Sequence, residues 1–575
     1  MYRSYLRSAI RNLWRYKGYT LINILGLAIG MACVMLIILY VKSELSFDRF
    51  HEHRDQLHLL NIQTTNPQTG ETNKRAIGPY RLADELEVDF PDLKFVRFAP
   101  QGQERVEYQD QAYQEEDLTF VDANVFDLFS FYLEEGDPST ALPDPFSLVL
   151  TRKSAEKYFG ESTALGKTLR IRDRDFNVTG ILKEIPENSQ FRFNMLISMN
   201  CAPQVFSKIV LENWGEGYVW TMAMLPENTQ PSDFTGRMQA FTDVKLEAWK
   251  AFSPKINMHP LRDLYLSSGD FAGWQPGGDR TYVLAFSFIA LFILIIACIN
   301  FMNLATARAG LRAQEVGLRK VIGAERSQLI TQFLSESVTL ALLSFAIAML
   351  MVKWSLPAFN QLADREITYS ITANLPLFFS FLGLAVFVGL LAGSYPAFLL
   401  SGFNPIQVFS GNLSGGFKGG ALRKVLVTFQ FAISIFLIIV TGIVYSQIQY
   451  CRKIDLGFDK EHLVRVGTPL SLRSQYDQFR TELLTNPQVV NAGASSRVPP
   501  GSLSSSLRAR PEGVPEDQQR GMQTVWTDYD FIETFGFELV SGRSFQREFT
   551  ADAQTAFILN EAAVREIGWT NEEAI

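Results

Sequence analysis

Three stretches of the sequence hold residues of the types that do chemistry. GESTALGKTL, residues 160–169, has the outline of a phosphate-binding loop: a glycine, a short run, then Gly166-Lys167-Thr168. Such a loop needs four residues between the first glycine and Gly-Lys-Ser/Thr, so that successive backbone N–H groups wrap the phosphates. It also follows a buried strand and opens a helix. Here five residues intervene, the helix-like TRKSAEKYFG comes first, and alternating Leu169, Ile171, Phe176 and Val178 follow. The expectation is a helix-to-hairpin turn. HEHRDQLH carries His51, His53 and His58 but lacks the H-E-x-x-H spacing and any nearby Cys or further His. It reads as a strand entering a domain. The serines of ASSRVPPGSLSSS, 494–506, have no G-x-S-x-G elbow and read as a loop. No catalytic residue, metal site or nucleic-acid pattern is expected, so the chain is not expected to be an enzyme.

The elements around these stretches are dominated by apolar runs. Five stand out in the 575 residues: 18–41, 284–304, 331–352, 375–400 and 425–448. A helix of about 20 apolar residues crosses the hydrocarbon layer, so the chain reads as a polytopic α-helical membrane protein. Residues 1–17, 308–330 and 402–424 carry thirteen Lys/Arg against two Asp/Glu, whereas the rest of the chain is strongly acidic. The positive-inside rule puts those segments in the cytoplasm. Residues 43–280 and 449–575 then lie outside the membrane as large mixed α/β domains, each expected to have a ferredoxin-like or porter-like part with a β-rich insertion. Arg3, Arg7, Arg11 and Arg15 recur at i,i+4 among Leu6, Ile10 and Leu13, the pattern of an amphipathic helix on the membrane surface. Gly26 with Gly30, and Gly389 with Gly393, have the spacing that lets helices approach closely. Asn23, Asn300 and Asn303 should face other helices, and Glu336 and Lys353 should snorkel toward the interface. No apolar run has an ionisable residue at its centre, so no polar tunnel is expected.

The chain also repeats itself. FVDANVFDLFSFYLEEG (120–136) and WTDYDFIETFGFELVSG (526–542) share Asp122/Asp528, Phe129/Phe535, Phe131/Phe537, Leu133/Leu539 and Gly136/Gly542. FSLVLTRKSAEKYFG and AFILNEAAVREIG then share a plan of strand, capped turn, amphipathic helix and glycine. Phe47-Asp48 after the first apolar run corresponds to Phe458-Asp459 after the fifth. The collinear order predicts a duplicated unit. The second copy reaches only IGWTNEEAI, so a complete unit is expected to continue with three more membrane helices; the sequence reads as C-terminally truncated.

INFMNLATARAGLRAQEVGLRKVIGAERSQLITQFLSES, 299–337, is the most specific stretch. Arg312, Glu315 and Arg319 share one helix face, with Glu315 and Arg319 an i,i+4 ion pair. Gly323 can end that helix, and a second helix should start at about Ala324 and pass through Gln328, Gln332 and Glu336. A rigid charged helix beside the membrane suits docking of a soluble partner. The stretch resembles the signature of FtsX/MacB-like ABC transporter permeases, roughly R-x-x-E-[VI]-G-[LI]-R-[KM]-x-x-G-A, matched by Arg312, Glu315, Val316, Gly317, Leu318, Arg319, Lys320, Gly323 and Ala324. The order of parts is similar too: one helix, a large MacB-type periplasmic core domain, then three helices. The duplication resembles long permeases of Bacteroidetes-like bacteria and departs from MacB, which has a fused ATPase domain.

The resemblance implies an inner-membrane permease subunit that contacts cytoplasmic ATPase subunits, two of them, through 315–324. ATP and Mg would be held on the ATPase and no cofactor by this chain. Further implied partners are membrane lipids, a periplasmic adaptor and an outer-membrane channel. The implied work is export of a peptide, lipoprotein, lipid or macrolide-like cargo. The alternative is a mechanotransmitting regulator or sensor that switches on cell-wall hydrolases or detects antimicrobial peptides without moving cargo. A third reading, an ATP-independent receptor, is disfavoured by the 312–324 segment.

Overall fold

A computed structural model describes residues 17–575 apart from 68–69, 103, 216, 308, 370–373, 403–418, 459, 469–471, 473–474, 499–505, 510–514, 516–519 and 554. The arginines at 3, 7, 11 and 15 and most of the 402–424 linker lie outside the described residues. The chain divides into two compact units, Met1–Val440 and Thr441–Ile575.

In the first unit, α1 (Lys17–Glu44) leads into a mixed α/β domain. Its strands are β1 (Leu57–Thr65), β2 (Thr72–Arg75), β3 (Ile77–Gly78), β4 (Lys94–Gln101), β5 (Glu104–Tyr108), β6 (Gln111–Glu115) and β7 (Leu118–Val121). There follow β8 (Leu133–Glu135), β9 (Ser147–Thr151), β10 (Thr168–Ile171), β11 (Arg174–Leu182), β12 (Met195–Ser198), β13 (Val219–Met224) and β14 (Lys255–Pro260). The expected two parts share one sheet in the order β14-β1-β13-β4-β7-β12-β9-β11-β10-β5-β6. They are joined by the parallel pair β7–β12, with Met195 opposite Leu118. Helices α2 (Leu82–Asp89), α3 (Val125–Leu128), α4 (Arg152–Phe159) and α5 (Thr235–Lys245) cover the sheet. Each buries its apolar stripe: Leu82, Ala83 and Leu86 on α2, and Met238 and Phe241 on α5.

The P-loop lookalike is the expected turn. Thr151 caps α4 by accepting from Ser154 N. Gly160 ends the helix at φ 61°, and the chain then enters the β10–β11 hairpin. The repeat shows the same devices in the second unit. There α11 (Phe531–Phe535) and α12 (Glu561–Ile567) correspond to α3 and α4, numbered here after the helices α6–α10 given below. Phe129 stacks on Phe131 as Phe535 does on Phe537, at 5.5 and 5.6 Å. Gly136 and Gly542 are both left-handed, at φ 100° and 82°. Asn560 caps α12 as Thr151 caps α4.

Two details differ from expectation. Residues 556–559, the counterpart of β9, form no strand, whereas β9 in the first unit is held between β11 and β12. The ring set against the phenylalanine pair is Phe458 in the second unit but His51, not Phe47, in the first; Phe47 instead stacks on Tyr265.

His51 is therefore a core ring rather than a ligand. Its Nδ1 accepts from Ser130 N at 3.1 Å, and its Nε2 lies 4.0 Å from Asp48 Oδ1. Asp48 accepts from Ser189 Oγ and Gln190 N. Burial pushes the Asp48 carboxyl up to about 7 and the His51 imidazole down to about 3. The Asp48 contribution to stability is full below its ordinary 3.8 and is lost as pH rises through about 7. The His51 contribution is full above its ordinary 6.5 and is lost as pH falls toward about 3. Between these values the two slopes oppose and nearly cancel. His51→Phe, the ring type used in the second unit, should unmask the Asp48 slope. Compared with wild type, the variant should gain about 2 kcal/mol of relative stability between pH 7 and pH 5. Thermal unfolding at the two pH values checks this; an unchanged difference between variant and wild type would refute it.

Five described helices are long and apolar enough to cross a membrane. They are α1, α6 (Arg280–Ala307), α8 (Arg326–Ala363), α9 (Leu375–Ser401) and α10 (Gly419–Lys453), with α7 (Ala309–Val321) between α6 and α8. The helix expected over 331–352 runs from Arg326 to Ala363, because polar turns extend its apolar centre at both ends. Helix α1 packs on α6 and α8, and α9 packs on α8 and α6. A core of Leu27, Met31, Phe301, Phe345 and Phe381 lies among them. In the second unit, β15 (Ser506–Ala509) and β16 (Arg520–Gln523) form an antiparallel pair, and Arg480 pairs with Asp530 at 3.0 Å.

Candidate functional site

The signature residues fall on α7 and the turn that follows it. The helix ends in a Schellman turn: Gly323 N donates to Lys320 O at 3.1 Å and Ala324 N to Arg319 O at 3.0 Å. Gly323 has φ 98°, a left-handed value that favours glycine. Glu325 then caps α8, its backbone N–H donating to Gln328 Oε1 at 3.3 Å. Together the two caps fix a tight corner between α7 and α8.

One face of α7 is bonded to the bundle. Val316 is buried against Leu329 and Phe333 of α8 and Ala397 and Leu400 of α9. Gly317 is also buried. Glu315 pairs with Arg319 at 2.8 Å. Arg319 Nη1 donates to Gln332 Oε1, and Gln332 Nε2 donates to Glu336 Oε1 at 3.2 Å. A polar chain thus runs from α7 into α8. Glu336, expected to snorkel, is instead buried within this chain, because Gln332 supplies a donor and Phe333, on the same helix, belongs to the apolar cluster around Val316. Burial and then Arg326 lower the affinity of the Lys320 amine for its proton. The other edge of α7 is open: Leu318, Val321 and Ile322 are 55%, 65% and 77% exposed. The backbone of Arg312 lies in α7, and its side chain lies outside the described residues.

The paired glycines sit in two helix seams. A Cβ on Gly30 would meet Ala297 Cβ at 2.7 Å, whereas one on Gly26 would meet Asn300 Nδ2 at an ordinary 3.4 Å. A Cβ on Gly389 would meet the Val338 backbone at 2.8 Å, and one on Gly393 would meet Ser337 at 2.6 Å. Asn303 reaches Gln430 of α10 at 3.5 Å. Sequence reasoning missed one cluster: Glu44, the last residue of α1, is buried with Tyr265 and Arg365. No spacing announces it, since its members lie far apart in the chain.

Residues 20–241 match the model of the MacB-like periplasmic core domain, and residues 287–405 match the FtsX-like permease C-terminal model. The chain is 25% identical over 240 residues to the macrolide export ATP-binding/permease protein MacB of Neisseria gonorrhoeae, covering 40% of this chain and 34% of that protein. It is 23% identical over 201 residues to the ABC transporter permease YknZ of Bacillus subtilis, covering 34% and 45%. The chain therefore spans about a third to a half of the length of these relatives. Among solved structures, the periplasmic region of MacB from Actinobacillus actinomycetemcomitans overlaps 37% of this chain and 94% of that chain at 12% identity, with a TM-score of 0.26. Most of the α/β domain after α1 falls within the first matched region, and most of α6 together with α7–α9 and the α7 signature within the second, which makes the chain a member of the FtsX/MacB-like permease family.

Proposed function

We propose that this chain is the permease subunit of an ABC transporter and that α7 is the docking element for a separate ATPase. The observation that carries the reading is the division of α7 into two edges. Val316 and the Arg319–Gln332 bond hold one edge to the bundle, while Leu318, Val321 and Ile322 on the other stay open beside the exposed Glu315. An apolar patch rimmed by charge is the kind of surface a protein partner covers. Because α7 is tied to α8 through the buried Gln332, force applied to α7 passes into a membrane-crossing helix.

In this reading the basic segments face the cytoplasm, a pair of ATPase subunits holds ATP and Mg, and hydrolysis moves the α/β domains on the far side of the inner membrane. The apolar runs carry no ionisable residue at their centres, which favours uptake of the cargo at the outer domains. A peptide, lipoprotein, lipid or macrolide-like compound fits, the last suggested by the export named for the MacB relatives. A periplasmic adaptor and an outer-membrane channel would complete the route.

The test is affinity purification of the permease in mild detergent, with ATPase activity assayed on what co-purifies. Wild type should bring down an ATPase, and Glu315→Lys with Arg319→Glu should lose or uncouple it. Recovery of equal ATPase with the variant would refute the assignment of α7. A cell-wall hydrolase co-purifying in place of an outer-membrane channel would identify a regulator instead of an exporter.

A further inference from the structure

Three side chains from three separate segments close on one another where α1 leaves the bundle. Glu44 is the last residue of α1 and is 3% exposed. Arg365 lies two residues past the end of α8. It donates Nε to Glu44 Oε1 at 2.9 Å and Nη2 to Tyr265 Oη at 2.5 Å. Tyr265, in the turn after the last strand of the α/β domain, donates its hydroxyl to Glu44 Oε2 at 2.9 Å. The Tyr265 ring stacks on Phe47 at 3.6 Å, and the Arg365 guanidinium lies 5.6 Å from the centre of the same ring. A side chain on Gly278 would come within 2.6 Å of both Tyr265 and Glu44, so the cluster is closed on that side as well.

Each member is anchored to its own part of the molecule. Arg365 N donates to Asn360 O at 3.1 Å, Asn360 Nδ2 donates to Ile367 O at 3.0 Å, and Ile367 is buried in the bundle core. The loop after α8 is thereby an extension of that helix. Burial, and then the neighbouring Glu366 carboxyl, hold the Glu187 carboxyl of the α/β domain above its ordinary value. Tyr265 follows Leu261 and Leu264, both fully buried in the domain core. A buried carboxylate without its cation is strongly disfavoured, so neither α8 nor the domain can shift alone without exposing or stranding Glu44. The opposite end of α8 carries Gln332, bonded to Arg319 of α7. One 38-residue helix, about 57 Å long, thus joins the docking helix to the Glu44–Arg365 pair.

We propose that Glu44, Tyr265 and Arg365 are positioning residues that form the strut through which α8 moves the α/β domain. The inference rests on the reading above, in which hydrolysis on a docked ATPase drives that motion.

The test uses the full permease with its co-purified ATPase in lipid nanodiscs. Spin labels are placed at Val88→Cys on the domain and, as a reference, at Val425→Cys on α10, which contributes no residue to this cluster, with Cys451→Ser removing an exposed native thiol. Pulsed dipolar spectroscopy then reads the label separation with and without ATP. Wild type should show an ATP-dependent change. Arg365→Gln should keep ATPase co-purification and hydrolysis, because α7 is untouched, but lose the change in separation; Arg365→Lys should retain most of it. A wild-type-sized change in Arg365→Gln overturns the strut. If Arg365→Gln does not assemble, Tyr265→Phe decides, since it removes hydrogen bonds but no charge: a reduced change supports the strut and an unaltered one overturns it. A wild type that binds and hydrolyses ATP with no change in separation overturns the motion itself, and the strut with it.

Discussion

Arg97→Met is expected to destabilise the α/β domain by about 3–5 kcal/mol, the range for stranding one partner of a buried ion pair. Arg97 lies on β4 and is 9% exposed. Its Nε and Nη2 donate to Asp122, with contacts of 3.0 and 2.9 Å, and its Nη1 donates to Asp84 Oδ2 at 2.9 Å and Tyr80 O at 3.2 Å. The guanidinium also lies 4.5 Å from the centre of the Tyr80 ring. Burial alone works against the charged guanidinium, but Asp122 more than offsets it, so Arg97 stays charged. Methionine keeps much of the length but removes every donor except the backbone N–H, leaving Asp122 as a largely buried carboxylate, 17% exposed, without its cation. Adding Asp122→Asn should recover most of the loss, because removing both charges is far less costly than removing one. Thermal unfolding of the single and double variants checks both statements. A single variant that melts with wild type, or a double variant no better than the single, would show that the pair does not act as described.

Gly30→Leu and Gly389→Leu should each prevent normal assembly of the membrane bundle. A Cβ alone would stand 2.7 Å from Ala297 Cβ in the first case and 2.8 Å from the Val338 backbone in the second. Overpacking a filled seam costs about 1–3 kcal/mol even when neighbours can relax, and at Gly389 the obstacle is main chain, which has little room to move. Gly383 provides the control, since a Cβ there meets nothing within 4 Å. Gly383→Ala should be neutral or slightly stabilising, because alanine is the better helix former. Yield of monodisperse protein and its melting in detergent distinguish the three. Equal behaviour of Gly389→Leu and Gly383→Ala would mean that α8 and α9 do not meet as closely as described.

The features legible in the sequence are those decided locally. Apolar length alone identifies the five spans, because twenty residues of helix match one hydrocarbon thickness. The Glu315–Arg319 pair follows from a four-residue spacing on a helix, and the end of α7 from a glycine that accepts a left-handed conformation. The short pattern of aromatic and glycine residues that recurs in the sequence builds the same local arrangement in both places, as the stacked pairs Phe129–Phe131 and Phe535–Phe537 show.

Tertiary structure decided the rest, for reasons that spacing does not encode. The two-glycine pattern in α1 is symmetric in sequence, yet Gly30 makes the close contact and Gly26 an ordinary one, since the crossing point depends on where α6 lies. Glu336 near the end of an apolar run suits either water or a buried bond, and Gln332 settles which. Glu44 meets partners 221 and 321 residues away in the chain. A carboxylate at the end of an apolar helix carries no sign of its future partner; only the arrival of the loop after α8 and of the turn at Tyr265 turns it into a buried joint between the bundle and the domain.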